Sequence, residues 1–379
     1  MAPATTRAER AITEARRPDP MPLHGIHHVE LWVGNAAQSA HFYEHALGFR
    51  QIAYAGLETG VRDRTAHVLQ QGRIRVVLTG ALGPDSPIAE HHRRHGDGIR
   101  DIALSVPDVQ HAWDYALAHG ATAVSEPREL RDEHGVVHVA TIAAYGDTVH
   151  TFVEHRDHRG AFLPGYEERP DAPASGDEHL LAIDHIVGNV ELGAMERWVR
   201  YYEGVFGMTE MLHFSDEAIS TEYSALMSKV VTDGNGRVKF PINEPAAGRR
   251  KSQIDEFLDF YGGPGAQHVA LATRDIVATV AALRERGVEF LTIPGSYYDE
   301  LPARVGEIDE PLADLREQGI LVDRDDEGYM LQIFTKPVGD RPTMFFEIIE
   351  RHGARSFGEG NFKALFEAIE REQDKRGNL

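Results

Sequence analysis

Three polar residues interrupt apolar, strand-like runs in the second half of the chain. They are His185 in Ile183-Asp184-His185-Ile186-Val187, His268 in Gln267-His268-Val269-Ala270, and Glu347 in Phe345-Phe346-Glu347-Ile348-Ile349. Period-two alternation puts His185 on one face with Ile183 and Val187, His268 with Ala266 and Ala270, and Glu347 with Phe345 and Ile349. One such histidine is ordinarily a satisfied core residue. Two neutral imidazoles and one carboxylate, each at a strand centre, suit a metal ion with open coordination positions, the pattern of non-haem Fe(II) oxygenases. Catalytic zinc uses a similar set, so residue types leave both metals open. The chain has no cysteine, and any metal must rest on His and carboxylate.

The elements that would position these residues occur twice. Gly25-Ile26-His27-His28-Val29, then Phe42-Tyr43-Glu44 and Leu47-Gly48-Phe49, is echoed by Ala182-Ile183-Asp184-His185-Ile186, then Tyr201-Tyr202-Glu203 and Phe206-Gly207-Met208. Gly98-Ile99-Arg100-Asp101 matches Gly265-Ala266-Gln267-His268, and Phe152-Val153-Glu154 is paired with Phe345-Phe346-Glu347. A repeat of half the chain means two homologous domains, each reading β-α-β-β-β twice. At the matching places the first domain carries His28, Asp101 and Glu154, which leaves a second metal site open.

We expect a flexible extension over 1–24, a first domain over 25–166, a polar Pro-containing linker over 167–179 and a second domain over 180–379. Only the second half carries a helix opened by Lys251-Ser252-Gln253-Ile254 and a C-terminal stripe of Phe362, Leu365, Phe366 and Ile369, with Asn361 as its N-cap. That stripe either covers a core or closes a site as a lid.

With 379 residues and 42% hydrophobic content the chain has room for two sizeable cores. A formal charge of -21 argues against nucleic acid and anionic membranes. The N-terminal segment lacks the apolar core of a signal peptide, no run has the length of a membrane helix, and the absence of cysteine fits a cytoplasmic location. The same negative field works against anionic substrates, so an acidic substrate would need local positive charge, and a divalent cation is the obvious source.

Several ordered motifs carry a resemblance. They are Gly160-Ala161-Phe162-Leu163-Pro164-Gly165-Tyr166, Pro241-Ile242-Asn243-Glu244-Pro245, Arg250-Lys251-Ser252-Gln253-Ile254, Gln267-His268-Val269-Ala270, Leu331-Gln332-Ile333-Phe334-Thr335-Lys336-Pro337 and Gly358-Glu359-Gly360-Asn361-Phe362. With them the chain, from Gly25 to Glu372, resembles the 4-hydroxyphenylpyruvate dioxygenase family of the vicinal oxygen chelate superfamily. The resemblance implies an α+β protein of two tandem domains, each an open barrel-like sheet of paired βαβββ modules, with a lid helix over about 361–373.

It further implies one Fe(II) per chain on His185, His268 and Glu347, a scaffold role for the first domain, and a homodimer or homotetramer. Conversion of 4-hydroxyphenylpyruvate and O2 to homogentisate and CO2 follows, by oxidative decarboxylation, ring hydroxylation and side-chain migration. Ser224, Asn243, Gln253, Gln267 and Gln332 match pocket positions, Phe334 and Phe345 ring-packing positions, and Asn361, Phe362 and Phe366 the lid. Strict alternation turns Gln267 away from His268, so a bulge or twist is needed to bring it in. The alternatives are hydroxymandelate synthesis from the same substrate on the same triad, and a binding protein of this fold without turnover. The intact triad argues against the latter.

Overall fold

Each module begins with the strand that will carry a ligand candidate and ends with the strand that pairs beside it. The computed structural model describes residues 19–169, 179–214, 226–246 and 250–378. The first module is β1 (Gly25–Trp32), α1 (Ala36–His45), β2 (Arg50–Ala55), β3 (Arg64–Gln71) and β4 (Ile74–Ala81). Helix α2 (Pro87–His95) leads to the second module, β5 (Gly98–Ser105), α3 (Val109–Ala118), β6 (Ala123–Asp132), β7 (Gly135–Ala143) and β8 (Val149–His155). A short strand, β9 (Glu167–Glu168), follows.

The third module is β10 (Ala182–Asn189), α4 (Met195–Phe206), β11 (Thr209–Phe214), β12 (Leu226–Thr232) and β13 (Lys239–Pro245), followed by α5 (Gln253–Tyr261). The fourth is β14 (Gly265–Ala272), α6 (Ile276–Glu285), two inserted helices α7 (Gly295–Val305) and α8 (Leu312–Gln318), β15 (Leu321–Arg324), β16 (Tyr329–Phe334) and β17 (Phe345–His352). Helix α9 (Phe362–Lys375) closes the described chain.

The two sheets have the orders β6-β7-β8-β5-β1-β4-β3-β2-β9 and β11-β12-β13-β10-β14-β17-β16-β15. In every module the first strand lies parallel to the last, as in β1 with β4 and β14 with β17. The two modules of a sheet join antiparallel through their first strands, β1 with β5 and β10 with β14. The expected tandem α+β architecture is what the chain adopts.

Local sequence explains the helices that matter for the second sheet. In α4 the apolar side chains Met195, Val199, Tyr202, Val205 and Phe206 are buried, and Gly207 ends the helix in the left-handed region at φ 62°. Helix α5 starts in a capping box: the Ser252 side chain accepts from the Asp255 N–H while the Asp255 carboxylate accepts from the Ser252 N–H.

Three features differ from the sequence expectation. Met21 and Leu23, assigned to a flexible extension, are buried in the core at 1% exposure each. Glu167 and Glu168, assigned to the linker, pair with Tyr54 and Ala53 at the edge of the first sheet. Two separate cores are not what forms: one apolar cluster runs through both halves. Tyr43 of α1 meets Phe346 of β17 edge to face at 5.9 Å, and His150 of β8 hydrogen-bonds the Tyr202 hydroxyl of α4 at 2.8 Å. Among the described residues no helix is long and apolar enough to cross a membrane.

Candidate metal centre

Strand register brings the three ligand candidates together. His185 pairs with Ala270 across β10 and β14, and Ala270 pairs with Glu347 across β14 and β17, so His185 and Glu347 flank a single methyl group on one rung. His268 lies one rung along, beside Phe345. Over the small Ala270 the side chains converge: His185 Nε2 is 3.1 Å and His268 Nε2 3.5 Å from Glu347 Oε2. All three residues are buried.

Each imidazole is oriented through its other nitrogen. His185 Nδ1 is 2.8 Å from Asp184 Oδ1, and His268 Nδ1 is 3.2 Å from Gln267 Oε1. With no cation bound, Nε2–H of His185 and His268 donates to Glu347 Oε2; with Nδ1 of each ring as the donor instead, both Nε2 lone pairs would be free for a cation. Burial holds the His268 imidazole below its ordinary range, in the neutral form a metal needs. Burial also works to raise Glu347, but the charge and hydrogen bonds of His185 and His268 outweigh it and hold the carboxyl at about 2. The second oxygen, Glu347 Oε1, is buried without a hydrogen-bond partner. An ionised carboxylate with an orphaned oxygen beside two inward imidazoles fits a divalent cation.

Two β-bulges build this arrangement. The pairing steps from Ile183–Leu271 to His185–Ala270, extruding Asp184, and from Val187–His268 to Gly188–Ala266, extruding Gln267. The second bulge turns Gln267 into the pocket beside His268, against strict alternation.

Above the cluster is a pocket lined by Asn243, Gln253, Gln267, Phe334, Phe345, Phe362 and Phe366, all singled out by sequence. Phe345 stacks on His268 with centroids 4.7 Å apart, and Phe334 stands perpendicular to the same ring at 6.0 Å. Gln332 falls elsewhere: it pairs with Ile349, one rung beyond Glu347, and packs against Gly358, where a Cβ would collide with its amide nitrogen. Asn361 is fully buried and stands at the N-cap position of α9, but its side chain makes no capping bond; its Oδ1 accepts from the Tyr297 hydroxyl at 2.6 Å and from Arg304 Nη2 at 3.1 Å. Ser224 lies outside the described residues. Ser228, which sequence reasoning missed, lines the pocket directly opposite Asn243, and alternation along β12 through Ser228 and Val230 was the available signal. Phe357 was also missed; it meets His185 edge to face at 4.9 Å.

The first sheet repeats the geometry without the ligands. His28 pairs with Ala103 as His185 does with Ala270, and His27 is bulged where Asp184 is. The pairing of Leu104 with Phe152 then makes Thr151, not Glu154, the counterpart of Glu347. Matching Phe152-Val153-Glu154 to Phe345-Phe346-Glu347 slipped the register by three residues. Glu154 instead corresponds to Glu350: Val109 N donates to it at 2.8 Å, as Ile276 N does to Glu350, and Arg156 pairs with its other oxygen. Thr151 donates to Asp101 from Oγ1 at 2.5 Å and from its N–H at 3.0 Å. Phe162, from the Gly160–Tyr166 motif, sits edge to face on His28 at 5.1 Å, where Phe357 sits on His185. A further cluster brings His352 Nε2 to 3.0 and 3.1 Å from the carboxylates of Glu310 and Glu350.

The comparisons with known proteins agree with this geometry. A model of the glyoxalase/bleomycin resistance protein/dioxygenase superfamily matches residues 25–144 and 182–333. A 4-hydroxyphenylpyruvate dioxygenase from Dictyostelium discoideum is 48% identical over 367 residues, covering 94% of this chain and 100% of that protein. The chain belongs to the 4-hydroxyphenylpyruvate dioxygenase family. The family member from Danio rerio is 46% identical over 93% of this chain and 92% of its own length. Among solved structures, a mutant of 4-hydroxymandelate synthase from Streptomyces coelicolor superposes with a TM-score of 0.85 at 37% identity, covering 93% of this chain and 100% of that one.

Two outcomes test the site. Glu347→Gln removes the anionic ligand while keeping its shape, so the fold should persist by circular dichroism and metal affinity should fall by more than about tenfold. Wild-type metal content after dialysis would rule the cluster out. In the first sheet, burial pushes the Asp101 carboxyl up to about 7. A folded value above the unfolded one means stability is full at low pH and is lost as pH rises toward about 7. Asp101→Asn should therefore stabilise the protein at pH 8, by roughly 1–4 kcal/mol, and little at pH 4. Thermal melts at both values decide it.

Proposed function

We propose that the chain oxidises 4-hydroxyphenylpyruvate with O2 to homogentisate and CO2, using Fe(II) held by His185, His268 and Glu347. The observation that carries this reading is the buried His-His-carboxylate cluster at the floor of an aromatic and amide-lined pocket, in a chain 48% identical over nearly full length to a family member. Charge supports it as well. Among the described lining residues there is no lysine or arginine, so the anionic 2-oxo acid would find its counter-charge at the metal.

Bound iron would supply the redox chemistry that joins O2 to a 2-oxo acid; of the two oxygen atoms, one ends in the new carboxylate and one in the ring hydroxyl. The protein's part is orientation and exclusion. Phe334 and Phe345 offer perpendicular faces to an aromatic ring, with centroids 6.3 Å apart. Ser228, Asn243, Gln253 and Gln267 offer neutral hydrogen-bonding groups for the phenol and the oxo acid. Phe362, Leu365, Phe366 and Ile369 of α9 form the apolar roof.

The described cavity is about 80 Å³, below the several hundred of an ordinary ligand pocket, and α9 forms its apolar roof, so in this reading substrate entry would displace α9. We further place the protein in the cytoplasm as a homodimer or homotetramer, with the first domain as scaffold. Oxidation at the benzylic carbon to 4-hydroxymandelate is the second reading, supported by the 0.85 TM-score neighbour at 37% identity.

Chromatography of the products distinguishes the two. After reconstitution with Fe(II) and ascorbate, 4-hydroxyphenylpyruvate in air should yield homogentisate; 4-hydroxymandelate would move the chain to the second reading, and neither product with iron bound would remove the substrate assignment. Phe362→Ala opens the roof without touching the triad. At saturating Fe(II) it should leave iron content unchanged and at least about halve the product formed per O2 consumed, because water gains access to the reacting centre. An unchanged ratio would make α9 a simple cover.

A further inference from the structure

Arg351 lies four residues beyond Glu347 on the same face of β17, and its guanidinium spends its donors in two directions. Toward the metal centre it grips Asp184 with a fork: Nε to Oδ2 at 2.8 Å and Nη2 to Oδ1 at 2.9 Å. Asp184 is the bulged residue that orients His185 through Nδ1, and Lys239 Nζ adds a third cationic contact at 3.1 Å. Toward the lid, Nη1 donates to the backbone carbonyls of Ala354 at 3.2 Å and Ser356 at 2.7 Å. Those carbonyls belong to the segment that leads into α9.

A second route joins the same two ends. The Arg351 guanidinium lies 5.4 Å from the centroid of the Phe357 ring, and Phe357 meets His185 edge to face at 4.9 Å. The remaining backbone of the segment is held from outside, with the N–H groups of Arg355 and Ser356 both donating to Asp325 Oδ2, at 2.7 and 2.8 Å. The segment is therefore suspended between a fixed surface anchor and Arg351. A planar, five-donor cation is the only side chain that satisfies a bidentate carboxylate and two carbonyls together.

We propose that Arg351 is a positioning residue that ties the orientation of His185 to the docking of residues 354–357, so that metal occupancy and lid closure are coupled. The inference rests on the metal reading given above. Loading His185 fixes the Asp184 carboxylate, Asp184 fixes the guanidinium, and the guanidinium fixes the two carbonyls ahead of α9. By reciprocity, a docked lid holds His185 in its ligating orientation.

The test uses the full chain, metal-free and loaded with Co(II), and reads hydrogen exchange over residues 354–366 together with Co(II) affinity by chelator competition. In wild type, Co(II) should slow exchange in that segment. Arg351→Met should weaken Co(II) binding by about 10–100-fold and abolish the metal-dependent protection. Arg351→Lys keeps a charge for Asp184 but cannot also span both carbonyls; it should hold most of the affinity and still lose the protection, which a merely structural role would not separate. If the methionine variant does not fold, the lysine variant decides alone through its exchange.

Metal-dependent protection in either variant equal to that of wild type overturns the inference, as does its absence in wild type. Wild-type protein that takes up no Co(II) overturns the metal reading and this inference together. Normal uptake with an indifferent Arg351 variant overturns this inference only.

Discussion

Glu347 is a carboxylate with 2% of its surface in contact with water. An ion in that position is tolerated only when other charges and hydrogen bonds replace its hydration. Everything around it answers that demand. The two imidazoles approach one of its oxygens, Asp184 and Gln267 turn those imidazoles, and Arg351 with Lys239 neutralise Asp184 in turn. The remaining oxygen, Glu347 Oε1, is buried with no hydrogen-bond partner.

The same sheet built twice isolates what makes one copy competent. Both copies have the antiparallel junction of first strands and a bulge before the first histidine. The first copy puts Asp101 and Thr151 where the second has His268 and Glu347, and these two satisfy each other by hydrogen bonds. Phe162 then fills the place above His28, from a segment that ends the first domain. In the second copy the equivalent roof comes from a helix after the last strand, with its own polar anchors. Asn361 is held by Tyr297 and Arg304 at the start of α9, and Glu256 of α5 takes a bidentate grip from Arg376 just past its end.

Much of this was legible in the sequence because it depends on local periodicity. The strands carrying His185, His268 and Glu347 alternate cleanly enough to show three polar residues on apolar faces, and Gly207 and Ser252 mark helix boundaries by their own chemistry. What escaped depends on pairing between strands. A bulge adds one residue to one strand, and nothing in Ala266-Gln267-His268 announces that Gln267 is the extra one. The correspondence of Thr151 with Glu347 is likewise set by Leu104 lying beside Phe152, a contact between segments some fifty residues apart, while the tempting Phe-Val-Glu match is purely linear. Asn361 looked like a cap because of its type and place; its burial against Tyr297 comes from an inserted helix that sequence could not locate beside it.

The charge of the whole molecule sharpens the role of the metal centre. With 60 acidic and 39 Lys and Arg residues, the protein repels anions at long range, and salt screens that field over about 8–10 Å at physiological strength. The net charge therefore offers an oxo acid no long-range attraction. Binding must come from contacts made inside, where the described lining is aromatic, aliphatic or neutral and polar apart from the triad itself. Within such walls a single divalent ion outweighs the remote carboxylates, because the local dielectric is low and the remote charges are screened. In the proposed reading, the substrate would bring its negative charge to the floor and its ring toward Phe334 and Phe345, which line the pocket.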